Sequence, residues 1–93
     1  MHDINIPYGK IKLPAEIGLL IRRKRKEIGV DQKKLSGFAD VGVRYLSELE
    51  RGKPTVELGR ALKVLDRLGL DVWILPRGKS PDSNEKSRGG RNG

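Results

Sequence analysis

The chain has no cysteine, one histidine, and only four aromatic residues (one Trp, two Tyr and one Phe) among 93. Without cysteine there is no disulfide stapling, no thiolate zinc site and no cysteine nucleophile. The absence also agrees with a reducing compartment. His2 is the sole histidine and lies at the terminus, a poor place for a fixed acid–base pair. No glycine-rich phosphate loop of the Walker type occurs. The longest apolar runs are a few residues, against the roughly 20 needed to span a bilayer. Met1–Lys12 is not expected to act as a signal peptide, because no apolar stretch follows a basic start. No enzymatic activity, metal, cofactor or membrane partner is therefore expected.

Positive charge is what the chain has in excess. Lys and Arg number 20 against 12 Asp and Glu, for a formal net charge of +8. On a small chain this favours a polyanionic partner, most often nucleic acid, although the same charge also serves solubility. Length suits one small domain, and the hydrophobic fraction of 35% supports a core only if the apolar residues fall at the right spacing.

That spacing is helical. Residues 14–28 read as a first helix, with Pro14 in the first turn, Glu16 at the positive end of the dipole, an apolar stripe of Ile17, Leu20, Ile21 and Ile28, and Gly29 as the stop. Residues 31–39 read as a second helix capped by Asp31, with Leu35, Phe38 and Ala39 facing inward. After a turn at 40–42, residues 43–50 form a third helix with Leu46 and Leu49 inward, ended by Arg51-Gly52-Lys53-Pro54. Thr55 is suited to cap a fourth helix, 56–68, whose stripe is Leu58, Ala61, Leu62, Leu65 and Leu68. Residues 70–75, LDVWIL, are β-branched and aromatic between Gly69 and Pro76, and read as a strand. A lone strand needs a partner, which is either the N-terminal arm or the same strand of a second subunit.

The domain therefore spans 14–76. Residues 1–13 form an arm or short strand, and 77–93 a disordered basic tail in which Arg77, Lys79, Lys86, Arg88 and Arg91 face only Asp82 and Glu85.

Two short helices joined by a tight turn, inside a bundle of four or five, make a helix-turn-helix unit. Gly29 before the second helix, Gln32 at its start, Leu35 and Ala39 four apart, Val41 in the turn, and then Leu46-Ser47-Glu48-Leu49-Glu50-Arg51-Gly52 resemble the helix-turn-helix of the Xre/Cro repressors and antitoxins. The resemblance covers about residues 15–75. It implies an all-α, lambda-repressor-like domain. Two positions depart from the family pattern. Asp40 stands where glycine is common, though Asp tolerates left-handed geometry, and Gly42 stands where Ser or Thr often caps the third helix.

By this resemblance Gly42, Val43, Arg44, Ser47 and Glu48 face base edges, with Arg44 suited to guanine, Val43 to a thymine methyl and Glu48 to cytosine N4. Glu48 read as a plain solvated acid fits equally well. Gln32, Lys33, Lys34, Arg51 and Lys53 face phosphates, and Tyr45 belongs either to the core edge or to a phosphate contact. Arg22-Arg23-Lys24-Arg25-Lys26 looks like a nucleic-acid patch, but five consecutive helical residues point all round. Arg25 stands where family members pair an arginine with the glutamate closing the third helix, so an Arg25–Glu50 ion pair is expected.

The run from Leu46 to Leu75 further resembles antitoxins of the Hip type, including the Y4mF-like branch. In those a four-helix domain is followed by a strand that pairs across a symmetric dimer, here Leu70, Val72, Trp73 and Ile74, with Trp73 in the core or dimer interface. The resemblance implies a cytoplasmic, nucleoid-associated bacterial antitoxin that binds operator DNA, represses its own operon and binds a HipA-type kinase toxin, in some systems split in two. One recognition helix reads only about four base pairs, so a homodimer on a palindrome is expected. A stand-alone or phage-type repressor without a toxin, and a protein-only adaptor whose charge confers solubility, are the other readings.

Overall fold

A computed structural model describes residues 8–79. Four helices follow one another: α1 Pro14–Glu27, α2 Gln32–Ala39, α3 Val43–Glu50 and α4 Leu58–Arg67. Among the described residues there is no strand, so the fold is all-α. Most of the expected arm, residues 1–7, and most of the expected tail, residues 80–93, lie outside the described residues.

One side chain from each helix meets at the centre. Ile21, Leu35, Leu46 and Val64 are fully buried, with Ala39, Leu49, Ala61, Leu65 and Leu68 around them. Ile17, Val30, Val41, Tyr45, Val56 and Leu70 close the edges. Among the described residues no helix is long and apolar enough to cross a membrane.

Local chemistry sets the ends of the helices. The Glu16 carboxylate accepts the backbone N–H groups of Lys12 and Leu13 at 2.6 and 2.9 Å, which fixes the lead-in to α1. Those bonds hold the Glu16 carboxyl below its ordinary range. Gly29 takes φ +73° after α1. The Asp31 carboxylate accepts the Lys34 N–H at 2.8 Å and caps α2. Asp40 closes α2 in the left-handed region at φ 54°, the geometry the turn demands. Its carboxylate lies 3.7 Å from Lys63 of α4. Gly42 starts α3 with no side chain to cap it.

The packing departs from expectation in three places. Phe38 is exposed, because Leu35 and the small Ala39 carry the inward face of α2. Ile28 is exposed, one residue beyond the end of α1. Helix α4 begins at Leu58, with Glu57 as its first cap in place of Thr55. It turns Ala61, Val64, Leu65 and Leu68 inward, leaving Leu58 and Leu62 exposed on its flank. Residues 70–75 form no strand in the single chain; a strand needs a paired edge, and none of the described segments supplies one. Leu70 alone is tied back, its N–H donating to the Leu65 carbonyl at 2.9 Å.

Helices α1 and α3 approach closely. A Cβ at Gly18 would stand 2.5 Å from the carbonyl oxygens of both Leu49 and Glu50, so only glycine fits. Gly52, at φ +82°, presses in the same way on Ala15.

Candidate nucleic-acid interface

Helix α3 has two unlike sides. Its inner side carries Leu46, Leu49 and Glu50, all buried. Its outer side carries Arg44, Ser47, Glu48 and Arg51, at the i, i+3, i+4, i+7 spacing of one helical face.

The inner side is fixed by a buried ionic knot. Arg25 Nε and Nη2 donate to Glu50 Oε2 and Oε1 at 2.7 and 3.0 Å, a bidentate pair. Arg25 Nη1 donates to the Val30 carbonyl at 3.0 Å. Gln32 Nε2 donates to Glu50 Oε1, also at 3.0 Å. The knot therefore joins the end of α1, the start of α2 and the end of α3. Hydrogen bonding to Glu50 raises the Arg25 pKa above the ordinary arginine value, against the effect of burial. No buried side-chain nitrogen or oxygen among the described residues lacks a partner.

The outer side is loose and charged. The Arg44 side chain is 90% exposed, with its Nε 3.6 Å from Glu48 Oε2. Arg51 Nη1 donates to the Ser47 hydroxyl at 2.8 Å. Lys53 Nζ donates to Glu48 Oε1 at 3.3 Å. Gly42 and Val43 are exposed at the N-terminal end of the same face, and Lys33 and Lys34 are exposed at the start of α2.

Of the expected base-reading residues, Gly42, Val43, Arg44, Ser47 and Glu48 thus share one accessible face. Of the expected phosphate residues, Lys33, Lys34, Arg51 and Lys53 are exposed, whereas the Gln32 side chain is half-buried and engaged with Glu50. Val72, Trp73 and Ile74 form a separate exposed apolar run after α4, with Leu70 half-buried against the core.

Tyr45, expected either at the core edge or on a phosphate, is placed at the core edge. Tyr45 leans from α3 to α4 and donates its hydroxyl to the Glu57 carbonyl at 2.6 Å. The Arg60 guanidinium stands 5.9 Å from the Tyr45 ring centroid and 3.4 Å from Glu57. Burial pushes the Tyr45 phenol pKa up. Tyr45 is therefore a core-edge strut for α4. The helical position of Tyr45, between the inner and outer faces, signals an edge residue and leaves its partner undetermined.

Two short helices, a left-handed Asp at the turn, and a second helix locked behind and charged in front make the arrangement of a DNA-reading unit. The helix-turn-helix family matches residues 21–72. The chain belongs to that family. It is 47% identical over 70 residues to an HTH-type transcriptional regulator, y4mF, of Sinorhizobium fredii, a match covering 75% of this chain and 92% of the relative. The helix-turn-helix fold is similar to that of a HipB variant solved in an O2 20-mer complex, at a TM-score of 0.69 and 20% identity, covering 76% of this chain and 99% of that one. HipB in a HipA-HipB-O2-O3 complex gives 0.67 and 20%, over 73% of this chain and 96% of that one. The clp gene regulator ClgR of C. glutamicum gives 0.58 and 28%, over 87% and 95%. The chain is a DNA-binding transcriptional regulator of the helix-turn-helix family.

Proposed function

We propose that this regulator is an antitoxin that binds a palindromic operator as a homodimer, represses its own operon, and binds and neutralises a HipA-type kinase toxin. The observation that carries the DNA half of this reading is the outer face of α3, with Arg44 90% exposed on a helix whose back is anchored by Arg25 and Glu50. In the major groove Arg44 donates to guanine, Val43 meets a thymine methyl, Ser47 bonds a base edge, and Gly42 lets the backbone come close. Glu48 shares the face, where cytosine N4 is the base donor it fits. Lys33, Lys34, Arg51 and Lys53 fix the register on phosphates, joined by the start of α2 at Gln32.

The dimer is supported by residues 70–75. Val72, Trp73 and Ile74 are exposed side by side, and a strand there gains its backbone partners from the same segment of a second subunit. Pairing sets two α3 helices about one DNA turn apart, which doubles the sequence read. The toxin half rests on the likeness to HipB, which has been solved in a complex with HipA. The likeness to ClgR supports a second reading, a stand-alone regulator without a toxin.

Co-expression with the product of an adjacent kinase-like reading frame separates the two. A stoichiometric complex that relieves the kinase's growth arrest is the expected result. An intact promoter-binding dimer that ignores every such kinase leaves the stand-alone reading.

A further inference from the structure

The surroundings of Glu48 favour a role other than the cytosine contact of the reading above. Its two carboxylate oxygens are shared between two cations of the same face: Oε2 lies 3.6 Å from Arg44 Nε, and Oε1 accepts from Lys53 Nζ at 3.3 Å. The Glu48 side chain is 23% exposed against 90% for Arg44, so the acid is the fixed member of the trio. The Lys53 N–H donates to the Glu48 backbone carbonyl at 3.1 Å, which keeps Lys53 at the end of α3 beside this acid. To accept a cytosine amine the carboxylate shares or gives up these contacts, although each oxygen keeps a further lone pair.

We propose that Glu48 is a specificity-determining residue that acts through its neighbours. It neutralises Arg44 and Lys53 against indiscriminate phosphate binding, and it orients Arg44 towards a base. The proposal rests on the reading that the outer face of α3 meets DNA. Binding to random sequence is almost wholly phosphate neutralisation by Lys and Arg with release of counterions. A cation already paired to Glu48 contributes less to that term. A guanine edge makes a different demand, since it takes two N–H groups of one guanidinium in a plane. With Nε turned to Glu48, the two Nη groups of Arg44 remain for O6 and N7. The carboxylate thus weakens the contact that every sequence offers and leaves intact the contact that one base offers.

The test compares the full-length chain with its Glu48→Gln variant, which keeps the shape and removes the charge. The probes are a duplex selected in vitro by the wild-type chain and a random-sequence duplex of equal length, each titrated by fluorescence anisotropy over a range of salt. Glu48→Gln is expected to bind the random duplex about 3- to 10-fold tighter, with the log–log salt slope steeper by about 1 to 2 for the two released cations. Affinity for the selected duplex rises less, so the specificity ratio falls. Adding Lys53→Ala to Glu48→Gln takes back about one unit of that slope. Asp66→Asn removes an equal charge from α4, beside Arg67, and controls for long-range charge; it leaves the slope unchanged.

A loss of about 10- to 100-fold on the selected duplex alone would make Glu48 a base acceptor and overturn the proposal. Unchanged affinities and slopes on both probes would make it an idle surface acid, with the same consequence. A wild-type chain that selects no sequence overturns the DNA-contact reading itself, and the role of Glu48 falls with it. Equal melting temperatures of wild type and variant tie any change to binding.

Discussion

Glu48 and Glu50 are the same acid, two residues apart on one eight-residue helix, in opposite settings. Glu50 is buried and takes three N–H donors from two side chains, Arg25 and Gln32. Glu48 lies on the outer face between two exposed cations, Arg44 and Lys53. The first joins three helices and has no room for a ligand. The second leaves its cations within reach of one. A rotation of about 200° around a helix separates architecture from recognition, and the residue type alone does not say which is which.

The contrast breaks first, and hardest, at Glu50. Glu50→Ala leaves Arg25 buried without its partner and is expected to cost about 3–5 kcal/mol. In thermal unfolding that lowers the melting temperature by at least about 12 °C for a domain of this size. Glu48→Ala stays within about 0.5 kcal/mol of wild type. Equal melting temperatures for the two alanine variants would erase the distinction between the faces. Gly18→Ala attacks the same seam from α1. Its methyl meets two backbone carbonyls that have nowhere to move, at an expected cost of about 1–3 kcal/mol by urea titration.

On the outer face the expected losses are in binding. Arg44→Ala lowers affinity for the selected duplex by about 1–3 kcal/mol and relaxes preference at one base position, with no shift in melting temperature. A variant that melts early and still binds would place Arg44 on the wrong side of the comparison.

Tyr45 stands at the border between the two faces and carries the smallest effect. Tyr45→Phe loses the hydroxyl bond to Glu57 and costs about 0.5–1.5 kcal/mol. The raised Tyr45 pKa fixes the sign of its pH dependence. Its contribution is whole below the ordinary phenol value of about 10 and is lost as pH rises through the higher folded value. Between the ordinary phenol value and the raised folded one, the fall in stability is expected to be shallower in Tyr45→Phe, as followed by circular dichroism.

Much of the fold was legible where local chemistry decides. The bounds of α3, the left-handed Asp40, the stop at Gly29 and the inward Leu46 and Leu49 follow from turn residues and spacing. What depends on a neighbour's position was legible only where the resemblance supplied it, as for the Arg25–Glu50 pair. Periodicity marks a stripe on α4 without its rotation about the axis, so Leu58 and Leu62 stood in for Val64. Gly18 looks like any glycine in a helix until the carbonyls of α3 are in place. Gln32 reads as a phosphate contact at a helix start, and only the approach of α3 brings Glu50 within its reach. Residues 70–75 have strand composition, but a strand is a property of two segments, and one chain shows only one. For the outer face, pattern and resemblance give the membership, and the structure adds the pairing of Arg44 and Lys53 with Glu48.

On this reading the outer face of α3 enters the major groove. Backbone amide shift mapping by NMR, with the selected duplex added to the full chain, tests it most directly. The expected result is a cluster of shifts at Gly42–Glu48 and at Lys33 and Lys34, with Ile21 and Leu20 silent. Shifts confined to residues 70–75 or to α1, with Gly42–Glu48 unmoved, would contradict it.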